Sequence, residues 1–230
     1  MKSDSPEGLL LVDKPAGITS HDVVDRVRRA YGERSVGHLG TLDPFATGLL
    51  IVLVGRATRL ATFLDIEPKV YEAVISFGSE TDTDDATGEA TRSAPPPAES
   101  DVRAAIVTLT GEIEQVPPAY SAKKVAGKRA YAAARSGEAL ELAPASVVVH
   151  RWDVGAYTDG ILTAAITCGG GTYIRALARD LGRFSGSAAH LASLRRTRIG
   201  KFDVADATPA DTLAASPPPL KRLEVTVAAA

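Results

Sequence analysis

Short apolar runs, each cut off by turn residues, set the rhythm of this chain. Leu9–Val12 runs into Asp13-Lys14-Pro15-Ala16-Gly17, which predicts a strand emptying into a turn. Ser20 is placed to N-cap a helix with Val23, Val24, Val27 and Tyr31 on one face. Arg26, Arg28 and Arg29 fall mainly on the other face, and Gly32 ends the helix. Leu49–Val54 is apolar throughout, too short and too β-branched to favour a helix, and suits a strand buried on both faces. Val70–Phe77 alternates instead. Tyr71, Ala73, Ile75 and Phe77 share one side, opposite Glu72 and Ser76, so the Tyr71 hydroxyl needs a partner among core residues.

Ser93–Ser100, with Pro95–Pro97, reads as a surface connection. A helix is expected over about Asp101–Leu109 and an Ala-rich one near Lys128–Arg135, with strands at Val147–Val149 and Leu162–Cys168. Gly169-Gly170-Gly171 then opens a helix with Ile174, Leu177, Ala178 and Leu181 in line. There is no internal repeat and no regular βαβ alternation, so a mixed-sheet α+β or α/β domain is predicted over 1–210. The Ala/Pro-rich stretch 211–230 reads as a tail, disordered in part.

Composition narrows the function classes. A chain of 230 residues, 45% hydrophobic and 23% charged, can bury a sizeable core. Its net charge of −2 means that any nucleic-acid surface must be a local patch. A lone cysteine, Cys168, excludes a disulfide framework and a Cys-based zinc cluster. The first apolar run is too short for a secretory signal and no segment reaches membrane-spanning length, so the cytoplasm is the expected location.

The most suggestive stretch is Gly37–Gly48, which sets the Asp43 carboxylate in a turn at the entrance to a buried strand, where a rigid scaffold can hold it still. Asp43 could equally do no more than shape an Asp-Pro turn, and His38 could be a loop histidine bonded to backbone. No Gly-Lys-Ser/Thr follows the glycines, so this is not a P-loop. Gly169–Thr172 could offer backbone N–H groups to an anion or be a flexible turn, and Arg175 sits in a first helical turn that disfavours a cation. Glu80–Gly88 fails the calcium-loop template at Ala86 and reads as a solvated acidic loop. Basic residues cluster at Lys123-Lys124 with Lys128-Arg129, accompanied by Tyr120 and Tyr131, and at Arg195-Arg196 with Arg198 and Lys201. Such mixtures suit RNA or are simply solvated faces.

Taken together, these segments resemble the TruB family, the bacterial tRNA pseudouridine-55 synthases. The resemblance is carried by Gly8–Ser20, by Gly37–Pro44 with Ala46–Leu50, and by Lys69-Val70-Tyr71 with Phe77-Gly78 and Thr81–Asp84. It continues through Pro117–Lys124 with Gly127 and Tyr131, Gly171–Arg175 with Leu177–Gly182, and Leu194–Thr197, covering about residues 8–202 in order. It implies a pseudouridine synthase fold, a mixed central sheet flanked by helices with an RNA-binding cleft, and a tRNA T-stem-loop substrate whose target uridine is flipped out. On the same resemblance Asp43 is the catalytic nucleophile, Arg175 its arginine partner, and Tyr71 stacks on the uracil. Leu194 packs on that ring, His38 occupies space near the vacated base position, and Lys14, Lys123 and Arg195 join the RNA-binding set. No cofactor, metal or protein partner is implied, and a monomer is expected. Many relatives carry a C-terminal PUA domain, for which the tail to Ala230 is too short, so a catalytic domain alone is expected.

Overall fold

The computed structural model describes residues 5–121, 124–125, 128–129 and 142–222, and the chain divides into two compact units. One unit joins Met1–Lys69 to Arg195–Ala230; the other is Val70–Leu194.

In the first unit, β1 (Gly8–Lys14) is followed by α1 (Ser20–Tyr31), β2 (Val36–Leu39) and β3 (Thr47–Val54). Strand β3 runs antiparallel to β1 from Gly8↔Val54 to Lys14↔Gly48, with β2 on its other edge. The uninterrupted apolar runs have the predicted consequence. One face of β1 and β3 (Leu10, Val12, Leu50, Val52) packs on Val23, Val24 and Val27 of α1. The other face (Leu9, Leu11, Leu49, Ile51) packs on Ala57 and Ile199. Each fully buried aliphatic side chain contributes roughly 1.5–3 kcal/mol. Helix α1 begins one residue earlier than expected: Thr19, not Ser20, is the N-cap, and its side chain forms a capping box with Asp22. Ser20 is turned inward by the first helical turn. A 3-10 segment, Gly55–Phe63, follows β3; with little apolar periodicity, it left no clear signal in the sequence.

The second unit holds β4 (Lys69–Phe77, its first residue in the first unit), the hairpin β5 (Ser79–Thr81) and β6 (Ala90–Ser93), α2 (Glu99–Thr108) and β7 (Gly111–Gln115). Then come β8 (Lys124–Val125), β9 (Lys128–Arg129), β10 (Ala145–Thr158), β11 (Ile161–Cys168) and α3 (Ile174–Phe184). Tyr71, Ala73, Ile75 and Phe77 are all buried, as the alternation of β4 requires. Strand order here runs β4-β11-β10-β7. Lys128 and Arg129 pair with Lys124 and Val125 as strands instead of opening a helix; the rest of the expected Ala-rich helix, with Tyr131, lies outside the described residues. Strand β10 extends well beyond the expected Val147–Val149, and register shifts at Val149/Arg151 and Val154/Tyr157 break the period-two pattern that would have marked its full length.

Strand β12 (Ala189–Ile199) passes from the second unit into the first at Arg195. Within the first unit its end runs parallel to β3 at Arg195↔Thr47 and Arg196↔Gly48, and pairs with β13 (Phe202–Asp203). Strand β14 (Thr208–Pro209) then lies parallel to β1. The expected partly disordered tail is docked as far as Arg222. Leu213 is fully buried, and Lys221 exchanges backbone hydrogen bonds with Leu9 at 2.8 and 2.9 Å.

Candidate active site

Asp43 lies between β2 and β3, half-buried, on a loop whose flanks are held from several directions. The Ser20 hydroxyl donates to the Leu42 carbonyl at 3.0 Å and accepts from the Leu42 N–H at 2.9 Å, tying the loop to the start of α1. The Asp43 carbonyl accepts from Ala46 N–H at 3.1 Å, and the Pro44 carbonyl from Gly17 N–H at 2.8 Å. Beneath the loop, fully buried Lys14 points its Nζ at the carbonyls of Pro15 (2.9 Å), Ile18 (2.8 Å) and Pro44 (3.3 Å). Its placement makes it a brace for the loop instead of a surface contact for phosphate. Burial brings its pKa from 10.5 down to about 8, opposed by the negative charge of Asp43 and assisted by Arg196.

His38, on β2, is half-buried, and its Nδ1 is enclosed with no hydrogen-bond partner among the described residues. Burial, then the charges of Arg196 and His21, push its pKa below the usual imidazole value, which keeps the ring neutral at neutral pH. Arg195 is half-exposed and engages Asp13 through both Nη atoms at 3.1 and 2.7 Å. The basic cluster read in the sequence at Arg195–Lys201 is therefore not one solvated patch. Arg196 is buried, Arg198 pairs with Asp203, and Lys201 lies over the Phe202 ring. Lys123 lies outside the described residues. A cavity of about 800 Å3 elsewhere in this unit, bounded by Glu7, Arg56, Arg59 and Arg222, contains none of the expected site residues.

In the second unit, buried Arg175 leaves the first turn of α3 and donates to the carbonyls of Thr83 (2.8 Å) and Tyr120 (2.9 Å), with Asp85 at 3.5 Å. These acceptors account for a cation where the helix dipole disfavours one. Helix α3 has no side-chain cap; instead the buried Gln115 amide bonds both ways with the Tyr173 backbone, accepting at 2.8 Å and donating at 3.2 Å. Gln115 was not anticipated from sequence, and a single glutamine ending a short strand carries no signal for it.

The stretch Glu80–Gly88 corrects the expectation of a solvated acidic loop. Glu80, Asp84 and Asp85 are buried because arginines from distant positions neutralise them: Arg92 and Arg183 on Glu80, Arg179 on Asp84, and Arg175 by Asp85. The Asp85 carboxylate also accepts from Thr83 Oγ1 and Thr87 N–H, both at 2.9 Å. The loop then bonds to β12, with Leu191 N–H donating to Asp84 O and Ala86 N–H to Leu191 O, each at 3.0 Å. Three residues further along that strand sits Leu194, also buried. Among the described residues no group of three or more His, Cys, Asp or Glu converges on a metal position, and no helix is long and apolar enough to cross a membrane.

The model of the TruB family pseudouridylate synthase N-terminal domain matches residues 28–174, and that of the tRNA pseudouridylate synthase B C-terminal domain matches 175–217. The chain belongs to the TruB family. It is 52% identical over 221 residues to tRNA pseudouridine synthase B of Thermobifida fusca (strain YX), covering 91% of this chain and 75% of that protein. It is 50% identical to the enzyme of the same name from Arthrobacter sp. (strain FB24), covering 90% and 70%. Among solved structures it resembles a chain of a Cbf5-Nop10-Gar1 complex, with a TM-score of 0.69 and 27% identity over 90% of this chain. A chain of an H/ACA RNP bound to a substrate RNA containing 2'-deoxyuridine follows, with a TM-score of 0.66 and 26% identity. This chain spans only 54% and 52% of those two. These likenesses agree with the fold expected from the sequence, a mixed sheet with helices.

Proposed function

We propose that this TruB-family chain isomerises the T-loop uridine at position 55 of tRNA to pseudouridine, in the cytoplasm and as a monomer, with Asp43 as the catalytic carboxylate. The observation that carries this reading is a half-buried Asp43 on a loop pinned at Gly40, Leu42 and Pro44, in a chain half identical to named tRNA pseudouridine synthases. Such a loop presents a carboxylate in a set position, which is what a nucleophile needs.

The target uridine leaves the stacked loop, at a cost of a few kcal/mol. The N1–C1′ bond breaks, the uracil rotates, C5 bonds to C1′, and the C5 proton leaves to solvent while N1 takes one up. The reaction is atom-balanced and needs no electron donor. Tyr71 stacks on the flipped base, and Leu194 packs on the same ring. Arg175, its guanidinium held by two carbonyls, is the arginine partner of the carboxylate. Neutral His38 fills the place of the departed base. Lys123 and Arg195 belong to the RNA-binding set, and Lys14 acts from beneath the Asp43 loop.

Tritium release from a T-stem-loop RNA labelled at uridine C5 tests this directly. Wild type should release tritium, and Asp43→Ala should release none while binding the RNA with near-wild-type affinity. Turnover by a clean preparation of the variant, or a folded wild type that releases nothing, would sink the proposal.

A further inference from the structure

The geometry points to Arg196 as a positioning residue for the reaction: a buried guanidinium that clamps the two ends of Gly40–Leu49 and so sets where Asp43 stands. This rests on the reading of Asp43 as the reacting carboxylate. Arg196 is 1% exposed, although it lies in a strongly basic stretch of the chain. Its Nε donates to the Leu49 carbonyl and its Nη2 to the Gly40 carbonyl, both at 2.8 Å. Among the described residues those two carbonyls, and no carboxylate, are its hydrogen-bond partners.

A buried cation without a carboxylate is costly, and a neutral side chain of similar volume would fill the space more cheaply. What the planar fork adds is two bonds of set direction, one to each end of the Asp43 loop. The backbone at Gly40 leaves room for this contact. Gly40 has φ +71, and a Cβ there would stand 3.2 Å from Arg196 Nη1. The charge is felt locally too, since it helps depress the pKa values of both Lys14 and His38. An arginine that only filled the core would not need its guanidinium set this close to the Gly40 backbone.

Arg196→Lys, Arg196→Met and Gly40→Ala separate positioning from bulk stability when compared with Leu162→Ala, a truncation at a fully buried position in the other unit. Each protein is assayed well below its Tm for single-turnover rate with saturating T-stem-loop RNA, RNA affinity, and amide exchange at Leu42 and Ala46. Those amides donate to Ser20 Oγ and to the Asp43 carbonyl. Arg196→Lys and Gly40→Ala should lose about 100-fold in rate, keep RNA affinity within about threefold, and exchange both amides about tenfold faster. Leu162→Ala should do none of these.

Rates within about threefold of wild type in both Arg196→Lys and Gly40→Ala would overturn the assignment. So would a loss matched by Leu162→Ala, or one lying wholly in RNA affinity. If Arg196→Met does not fold, the other two variants decide. If wild type itself fails to convert the RNA, the functional reading falls, while the exchange data still decide whether Arg196 holds the loop.

Discussion

Asp84→Asn sets two physical effects against each other inside the acidic loop that holds Arg175. Asp84 is 7% exposed, with Oδ2 2.8 Å from Arg179 Nη1. Removing one partner from a buried ion pair costs about 3–5 kcal/mol when the other charge is left uncompensated. Arg179 would not be left so, because it keeps Asp180 at 2.9 Å and the Val116 carbonyl at 2.8 Å. Against the pair stands the cost of burying the carboxylate. Burial raises the Asp84 pKa from 3.8 to about 6, although Arg179, Arg175 and Arg183 pull it down. At about 1.4 kcal/mol per pK unit, the charged form is disfavoured in the fold by roughly 3 kcal/mol. Because the folded pKa lies above the unfolded one, the native state binds more protons. This contribution to stability is present below about pH 4 and lost as pH rises through about 6. The backbone here has φ 60, which asparagine adopts as readily as aspartate.

Burial therefore wins over pairing. At about pH 7 Asp84→Asn should be as stable as wild type or more stable, by up to roughly 3 kcal/mol, and the advantage should fade towards about pH 4. Urea unfolding of both proteins at several pH values, with unchanged m, measures the difference. A variant destabilised at neutral pH that regains ground on wild type as pH falls would show the Arg179 pair dominating and refute the reasoning.

Other substitutions probe the site and its support. Arg175→Met removes the donors to Thr83 O and Tyr120 O and leaves buried Asp85 to the Thr83 and Thr87 donors alone. It should cost about 2–4 kcal/mol and lower single-turnover tritium release by at least about 100-fold; near-wild-type stability and rate together would contradict that. Gly48→Ala places a methyl 2.2 Å from Arg196 O at φ +103. The loss should be roughly 3 kcal/mol or more, lowering Tm by about 6–12 °C in a thermal melt, and an unchanged Tm would mean β3 and β12 can part without cost.

Much of the frame was legible because it depends on near neighbours. Leu9–Val12 and Leu49–Val54 are apolar at every position and become strands covered on both faces; Val70–Phe77 alternates and buries one side. The Asp43 turn follows from its place at the entrance to the second of these runs. Resemblance added the family, which the family models and half-identical relatives confirm. The N-cap, by contrast, shifted from Ser20 to Thr19, since two adjacent hydroxyl residues compete and Ser20 gains a buried partner in Leu42.

The chain by itself determined which segments had to be buried, where they turned, and that a carboxylate stood at the mouth of a buried strand. Hydrophobic period and turn chemistry are properties of a few consecutive residues. Only the tertiary structure decided the fate of the charges. Glu80 meets Arg183 across 103 positions, Asp84 meets Arg179 across 95, and Arg196 reaches Gly40 across 156. In the sequence Glu80 and Asp84 fall in an acidic run that reads as solvated, and Arg196 in a basic run that suits RNA or a solvated face. Whether a charge is hydrated or buried depends on which opposite charge or carbonyl the fold brings within about 3 Å, and no local pattern encodes that.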